Sequence, residues 1–203
     1  MAGTNDTGDW IVNGTRQSFL QTSIHFYRQV RRSFFCRENN WQLETGEYRG
    51  DCSGLLLTLL EQYDCNRYQQ LCAHAHSPRP KAFQIFDWLS QPQAGIRLNN
   101  RLDAVQPGDI IIWRKVTPPK SGDTGHLALV LELGALDPNQ QQLSIKVMDA
   151  SKQAHDMDDR DRPGIACGWM RLTADSDGCI NGYIWSTALK KTKRTQVLVA
   201  HID

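Results

Sequence analysis

The sequence predicts an α+β chain, with N-terminal helices packed on a C-terminal antiparallel sheet. Three observations carry that prediction. Between residues 15 and 35, apolar side chains recur at three- and four-residue steps, as on one face of a helix. A second stretch, apolar over most of its circumference, begins at Cys52. Beyond residue 100 the pattern changes to short apolar runs separated by Pro, Gly and Asp, which is how strands and turns alternate. Helices followed by strands, rather than helices alternating with strands, exclude a doubly wound parallel sheet.

Taken in order, residues 1–14 are polar and read as a mobile tail, leaving 15–203 as a single domain. The start carries neither the basic stretch nor the apolar run of a signal peptide. The expectation is a cytoplasmic chain, or one exported by another route or after loss of a leader. Phe19, Leu20, Ile24, Tyr27, Val30 and Phe34 mark a first helix within 15–35. Gly46 to Gly50 is a turn-rich approach to a second, central helix from Cys52 to about Tyr63. A third helix is expected over Pro80–Leu89, with Pro80 suited to its first turn. Pro107-Gly108-Asp109 turns the chain into a strand, Ile110–Arg114. Pro118–Asp123 is a loop, and His126–Leu133 the next strand. Asp137-Pro138-Asn139 turns it back into Leu143–Asp149. Residues 151–168 read as a long polar loop, and Tyr183–Trp185 and Thr195–Ile202 as the last strands.

Composition narrows the function. A chain of 203 residues buries about 70% of its unfolded surface, so it needs no disulfide or metal staple. Its 23 basic and 22 acidic residues leave a formal charge of +1, which argues against an electrostatic nucleic-acid binder. No apolar run approaches the ~18–20 residues of a membrane span. No cofactor is implied, and oligomeric state cannot be read. Six cysteines are irregularly spaced. Cys65, Cys72, His74 and His76 could be weighed as a zinc site, but their spacing fits no common finger and they read as ordinary helix-end or loop residues. Lys190–Arg194 reads as a solvated basic turn, and Trp113, Trp169 and Trp185 as core.

Asp51-Cys52-Ser53-Gly54 is the motif with chemistry in it. A thiol at a helix N-terminus gains acidity from the unpaired amides and the macrodipole, and the thiolate is the nucleophile. Gly54 permits close approach, and the Cys52 N–H is placed to stabilise an oxyanion. Such a nucleophile needs a base and an orienter. Gly125-His126 opens an apolar strand. If the strands on either side of Pro138 form a hairpin, Asp149 returns close to His126 and can accept its Nδ1–H. Ser151 shares the parity of Asp149 and is the alternative orienter. Asp51 reads as a helix cap.

In that order, Asp51-Cys52-Ser53-Gly54-Leu55, Pro107-Gly108-Asp109-Ile110, Gly125-His126-Leu127-Ala128-Leu129-Val130 and a later polar residue resemble the NlpC-type cysteine peptidases. These are papain-like hydrolases that mostly cleave peptide bonds in bacterial cell-wall peptidoglycan. The resemblance covers residues 48–151. It implies Cys52 as nucleophile, His126 as base, Asp149 as the third residue and Tyr48 as a contributor to the oxyanion site. An acidic third residue is closer to the related CHAP amidases. The partner implied is a peptidoglycan stem peptide or another small peptide. Within the charged stretch 155–162, Arg160 and His155 could line the cleft and bind a substrate carboxylate, against the plainer reading of a solvated loop. An acyltransferase using the same Cys–His pair, and a non-catalytic binding module, are the competing functions.

Overall fold

The computed structural model describes residues 2–4, 10–12, 15–117, 122–139, 141–189 and 191–203, with side chains from residue 17 onward. Helices lie in the first half and a large antiparallel sheet in the second, as the sequence predicts for an α+β chain. Among the described residues no helix is long and apolar enough to cross a membrane.

Within the stretch 1–14 expected as a tail, the described residues 2–4 and 10–12 are strands. The backbone of β1 (Ala2–Thr4), β2 (Trp10–Val12) and β3 (Thr15–Arg16) pairs as a small antiparallel ladder. Residues 1, 5–9 and 13–14 lie outside the described residues. The signal was present: Trp10-Ile11-Val12 is a run of strong strand formers, followed in sequence by Asn13-Gly14.

Helix α1 (Phe19–Gln29) is shorter than 15–35. Ser18 and Gln21 close a capping box at its start. It stops at Val30, where a run of basic and aromatic residues leaves the helix for strand β4 (Arg32–Phe34). With β5 (Asn40–Gln42) and β6 (Glu47–Arg49), β4 makes a small sheet of order β4-β6-β5. Helix α2 (Cys52–Tyr63) spans the expected residues. Leu55, Leu56, Leu57, Leu59 and Leu60 are all buried, because α1, α3 (Cys65–His74), α4 (Ala82–Leu89) and the large sheet surround it. Each fully buried leucine contributes about 1.5–3 kcal/mol, so α2 is the most firmly anchored helix. The sequence reading did not separate α3, whose one buried residue is Leu71. A helix that is polar almost all round gives little periodic signal.

The large sheet has the order β13-β12-β11-β10-β9-β8-β14-β7, antiparallel throughout. Its strands are β7 (Ile96–Asn99), β8 (Ile110–Arg114), β9 (Gly125–Asp137), β10 (Gln142–Ser151), β11 (Gly164–Ala174), β12 (Ile180–Ile184), β13 (Thr192–Arg194) and β14 (Leu198–Ile202). Both faces are apolar. Ile110, Ile112, Leu127, Leu129, Met148 and Ala150 meet the helices. The alternate residues Ile111, Trp113, Ala128, Val130, Ile145 and Val147 form a second core with Met170, Leu172 and Val199. Among the described residues no α-helix covers that face; Leu102, in a short 3-10 turn, joins this core, and the sheet curls over it. A bridge between Arg101 and Cys179, with the Ile180 N–H donating to the Asn100 carbonyl, brings the end of β7 to the start of β12. The curl is aided by two irregularities in the β9–β10 ladder, since bulges bend a strand and increase its twist.

Two further corrections concern the second half. The loop expected over 151–168 ends at Pro163, and β11 begins at Gly164. Lys190 and residues 118–121 lie outside the described residues. Thr192, Lys193 and Arg194 of the basic run form β13, an exposed edge strand whose charges discourage further pairing. Pro107-Gly108-Asp109 is the turn expected. The Asp109 carboxylate is buried there, accepting the Gln106 N–H at 2.9 Å and facing His201 Nδ1 at 2.8 Å, so the motif fastens β8 to β14.

Candidate active site

Cys52 is the first residue of α2. Asp51 caps the helix, its Oδ1 accepting the Gly54 N–H at 3.0 Å while Oδ2 pairs with Arg79 at 2.9 Å. The helix itself offers no acceptor for the Cys52 N–H, as at any helix start. The sulfur is thus held at the positive end of a helix that the core cannot release.

Beneath it lies Tyr48, fully buried and packed edge-on against Phe26. Its hydroxyl is 3.4 Å from both Asn39 Oδ1 and the Asp51 carbonyl. Burial first, then the nearby Asp51 and Cys52, push the phenol well above the ordinary tyrosine range, so it remains a proton donor. Its one hydrogen is directed to the loop before Cys52. This corrects the expected oxyanion role: Tyr48 supports the turn that carries the cysteine.

Gly50 makes that packing possible. A β-carbon on Gly50 would lie 2.1 Å from the Tyr48 hydroxyl and 2.6 Å from Cζ. The ring is buried and cannot swing aside. Gly50→Ala is therefore expected to destabilise the chain by about 1–3 kcal/mol, the ordinary cost of overpacking. A urea midpoint equal to that of the wild type would show that the turn yields instead.

His126 sits at the start of β9, opposite Trp113 of β8. The preceding Gly125 has φ +144, and a β-carbon there would lie 2.2 Å from the Trp113 carbonyl oxygen, so only glycine fits. The imidazole is flanked by the rings of Trp113 and Trp185, at centroid distances of 5.3 and 5.0 Å. Its Nε2 is 2.7 Å from Asp149 Oδ2. Cys52 is near enough for its sulfur to act on the ring. With Nε2 on Asp149, Nδ1 is the nitrogen left for that sulfur. The sequence expectation had Asp149 on Nδ1; the structure reverses the two nitrogens, because β10 approaches the ring from its Nε2 side. Burial alone would keep the ring neutral. The Cys52 sulfur and the Asp149 carboxylate outweigh it and raise the His126 pKa to about 10.

Asp149 is inaccessible to solvent and has three partners. Oδ2 is shared by His126 and, at 3.2 Å, His155 Nε2, while Oδ1 pairs with Arg160 Nη2 at 2.7 Å. Burial would raise its pKa, but the bonds to His126 and His155 win and hold it far below the usual carboxylate range. It is therefore ionised at every pH of interest. The surrounding groups are fixed in turn. His155 stacks on Trp185, ring centroids 4.1 Å apart, and its Nδ1 lies 3.1 Å from the Trp185 carbonyl oxygen. Arg160 also pairs with Asp158 and donates to the carbonyl oxygens of Ser151 and Gly164.

These contacts correct three expectations. His155 and Arg160 do not line the cleft; their side chains are 0% and 5% exposed and they hold Asp149. Ser151 does not orient His126. Its hydroxyl donates to the Gln153 carbonyl and accepts the Gln153 N–H, closing a turn after β10. The charged stretch is divided: His155, Asp158 and Arg160 turn into the fold, while Asp161 and Arg162 pair with each other at the surface, as in a solvated loop. Trp185, read as core, packs against both histidines, a role that no sequence pattern marks. Cys65 opens α3, Cys72 and His74 lie in its last turn, and His76 is in the turn after it. Among the described residues, no three His, Cys, Asp or Glu side chains are grouped to hold a metal ion.

The chain is similar to an uncharacterized protein of Acanthamoeba polyphaga mimivirus, with 23% identity over 69% of this chain and 70% of that protein. No described protein family and no solved structure matches it.

Proposed function

We propose that the chain is a papain-like cysteine hydrolase that cleaves amide bonds. One observation carries this reading: a sulfur at a buried helix start beside an imidazole whose Nε2 is held 2.7 Å from a buried carboxylate. Nucleophile, base and orienter in series are what thiol-based acyl transfer requires. The Cys52 thiolate attacks the carbonyl carbon and a C–S bond forms. The Cys52 N–H donates a hydrogen bond to the developing oxyanion. Protonated His126 gives its Nδ1 proton to the amine as the C–N bond breaks. His126 then takes a proton from water, which attacks the thioester and releases the acid and the thiolate. Asp149 keeps the ring in place throughout and remains ionised. A peptide of the bacterial cell wall is the proposed substrate, on the resemblance to the NlpC-type peptidases.

The test is digestion of purified muropeptides by wild type and Cys52→Ala, read by mass spectrometry. Cleavage by the wild type alone supports the reading. Transfer of the acyl group to an added amine, without hydrolysis, would replace it with an acyltransferase. No turnover, with Cys52 alkylated by iodoacetamide no faster than Cys36 or Cys65, would replace it with a binding module.

A second measurement concerns the ion pair. Folding favours the protonated His126 ring, because its pKa rises from about 6.5 in a free chain to about 10. The stabilisation it contributes is complete below pH 6.5 and is lost as pH rises through 10. The ring resonances of His126 are expected to titrate near pH 10 in the wild type, and lower in Cys52→Ala. A wild-type midpoint near 6.5 would mean that sulfur and ring are not coupled.

A further inference from the structure

Arg160 also lines a cavity of about 360 Å³, between the end of α1, the start of β4 and the segment before β11. The wall carries five arginines against two aspartates: Arg28, Arg31, Arg32, Arg160 and Arg162, with Asp159 and Asp161. Both oxygens of Asp159 are already engaged, one by the Tyr27 hydroxyl at 2.7 Å and one by the Cys167 N–H at 2.7 Å. Asp161 is paired with Arg162, and Arg160 with Asp149 and Asp158. Arg28, Arg31 and Arg32 have no carboxylate partner among the described residues.

Three guanidinium groups around one concavity, with no carboxylate partner among the described residues, are unexpected in a chain whose formal charge is only +1. Arg28 gains something from the C-terminal end of α1, but Arg31 and Arg32 lie beyond the helix and gain nothing from it. The guanidinium fork matches phosphate oxygens two at a time, and is the side chain best suited to them. The volume suits a small ligand rather than a folded partner.

We propose that this cavity binds a small, multiply charged phosphate compound, contacted by Arg28, Arg31 and Arg32. The site is separate from Cys52 and does not depend on the hydrolase reading. A free polyphosphate and a nucleoside triphosphate share the chemistry that these arginines recognise.

Calorimetric titration of the full chain with inorganic tripolyphosphate, at fixed ionic strength, tests it. A one-to-one complex is expected for the wild type and equally for Cys52→Ala. Arg31→Gln and Arg32→Gln should each weaken it about tenfold or more, the usual cost of one charge-assisted contact. Both positions are solvent-exposed, so the circular dichroism of the variants should not change. Adenosine triphosphate binding more tightly than tripolyphosphate would identify a nucleotide as the ligand, and equal affinity the phosphate chain alone. No heat at millimolar concentrations of either compound would overturn the proposal. So would an affinity that Arg31→Gln and Arg32→Gln leave unchanged.

Discussion

Cys52→Ala is expected to lower amide hydrolysis by at least about 10⁴-fold, because the residual activity of a triad without its nucleophile comes only from binding and the oxyanion donors. Stability should change by no more than about 1 kcal/mol, since the substitution removes one sulfur atom at a site next to the cleft. Neither Cys167 nor Cys72 can substitute. Cys167 is buried, and burial together with the neighbouring Asp159 pushes it up to about 12, so it stays protonated. Burial also raises Cys72, which lies on α3 and hydrogen-bonds the Pro78 carbonyl. Rates on a chromogenic peptide amide, measured beside urea unfolding curves, separate chemistry from folding. Retention of more than about 1% of the wild-type rate would remove Cys52 from the mechanism.

Asp149→Ala should damage both folding and activity. It leaves Arg160 and His155 buried without their shared carboxylate, and breaking a buried pair costs about 3–5 kcal/mol. Asp158 still compensates Arg160, which places the expected loss near the lower end of that range. Asp149→Asn is the informative companion. Its single carbonyl oxygen can still accept from His126, but its NH₂ must then face the Arg160 guanidinium, donor against donor. We expect a stable but weakened fold and a rate reduced by about 10³–10⁴. The low pKa of Asp149 also gives a pH signature. Its contribution to stability is present above about pH 4 and is lost as pH falls through its folded value. The acid limb of the stability curve should therefore be shallower in Asp149→Asn. Wild-type stability and rate in that variant would show that the carboxylate is a bystander.

How much of this could be read from the residues alone differed with the kind of contact. Cys52 and α2 were legible because an apolar run with an aspartate at its head has few alternatives. Strands β8, β9 and β10 were legible from their turns and their length. Strand β11 was not. Its first half is buried on both faces, and Gly164, Ala166 and Gly168 dilute the strand signal. Strand β7 has only half-buried and exposed residues, so no alternation marks it. The environment of Asp149 was hidden for a different reason. Arg160 looks like a surface charge because much of its compensation is tertiary: beyond the nearby Asp158, it comes from a carboxylate on β10 and from carbonyl oxygens at Ser151 and Gly164. A sequence records the charges of a network but not its closure. The nitrogen of His126 that meets Asp149 depends likewise on the side from which β10 arrives, which no spacing encodes.

His126 and Asp149 face each other at one end of the β9–β10 ladder, while the chain reverses at the opposite end, past the exposed Leu133 and Leu136. Whatever is added or removed at that reversal lengthens or shortens the hairpin away from the imidazole. The interval of residues between base and acid is thus free to drift without disturbing their contact. Inserted at Pro138–Asn139, a short epitope or a fluorescent reporter would leave the reacting groups where they are.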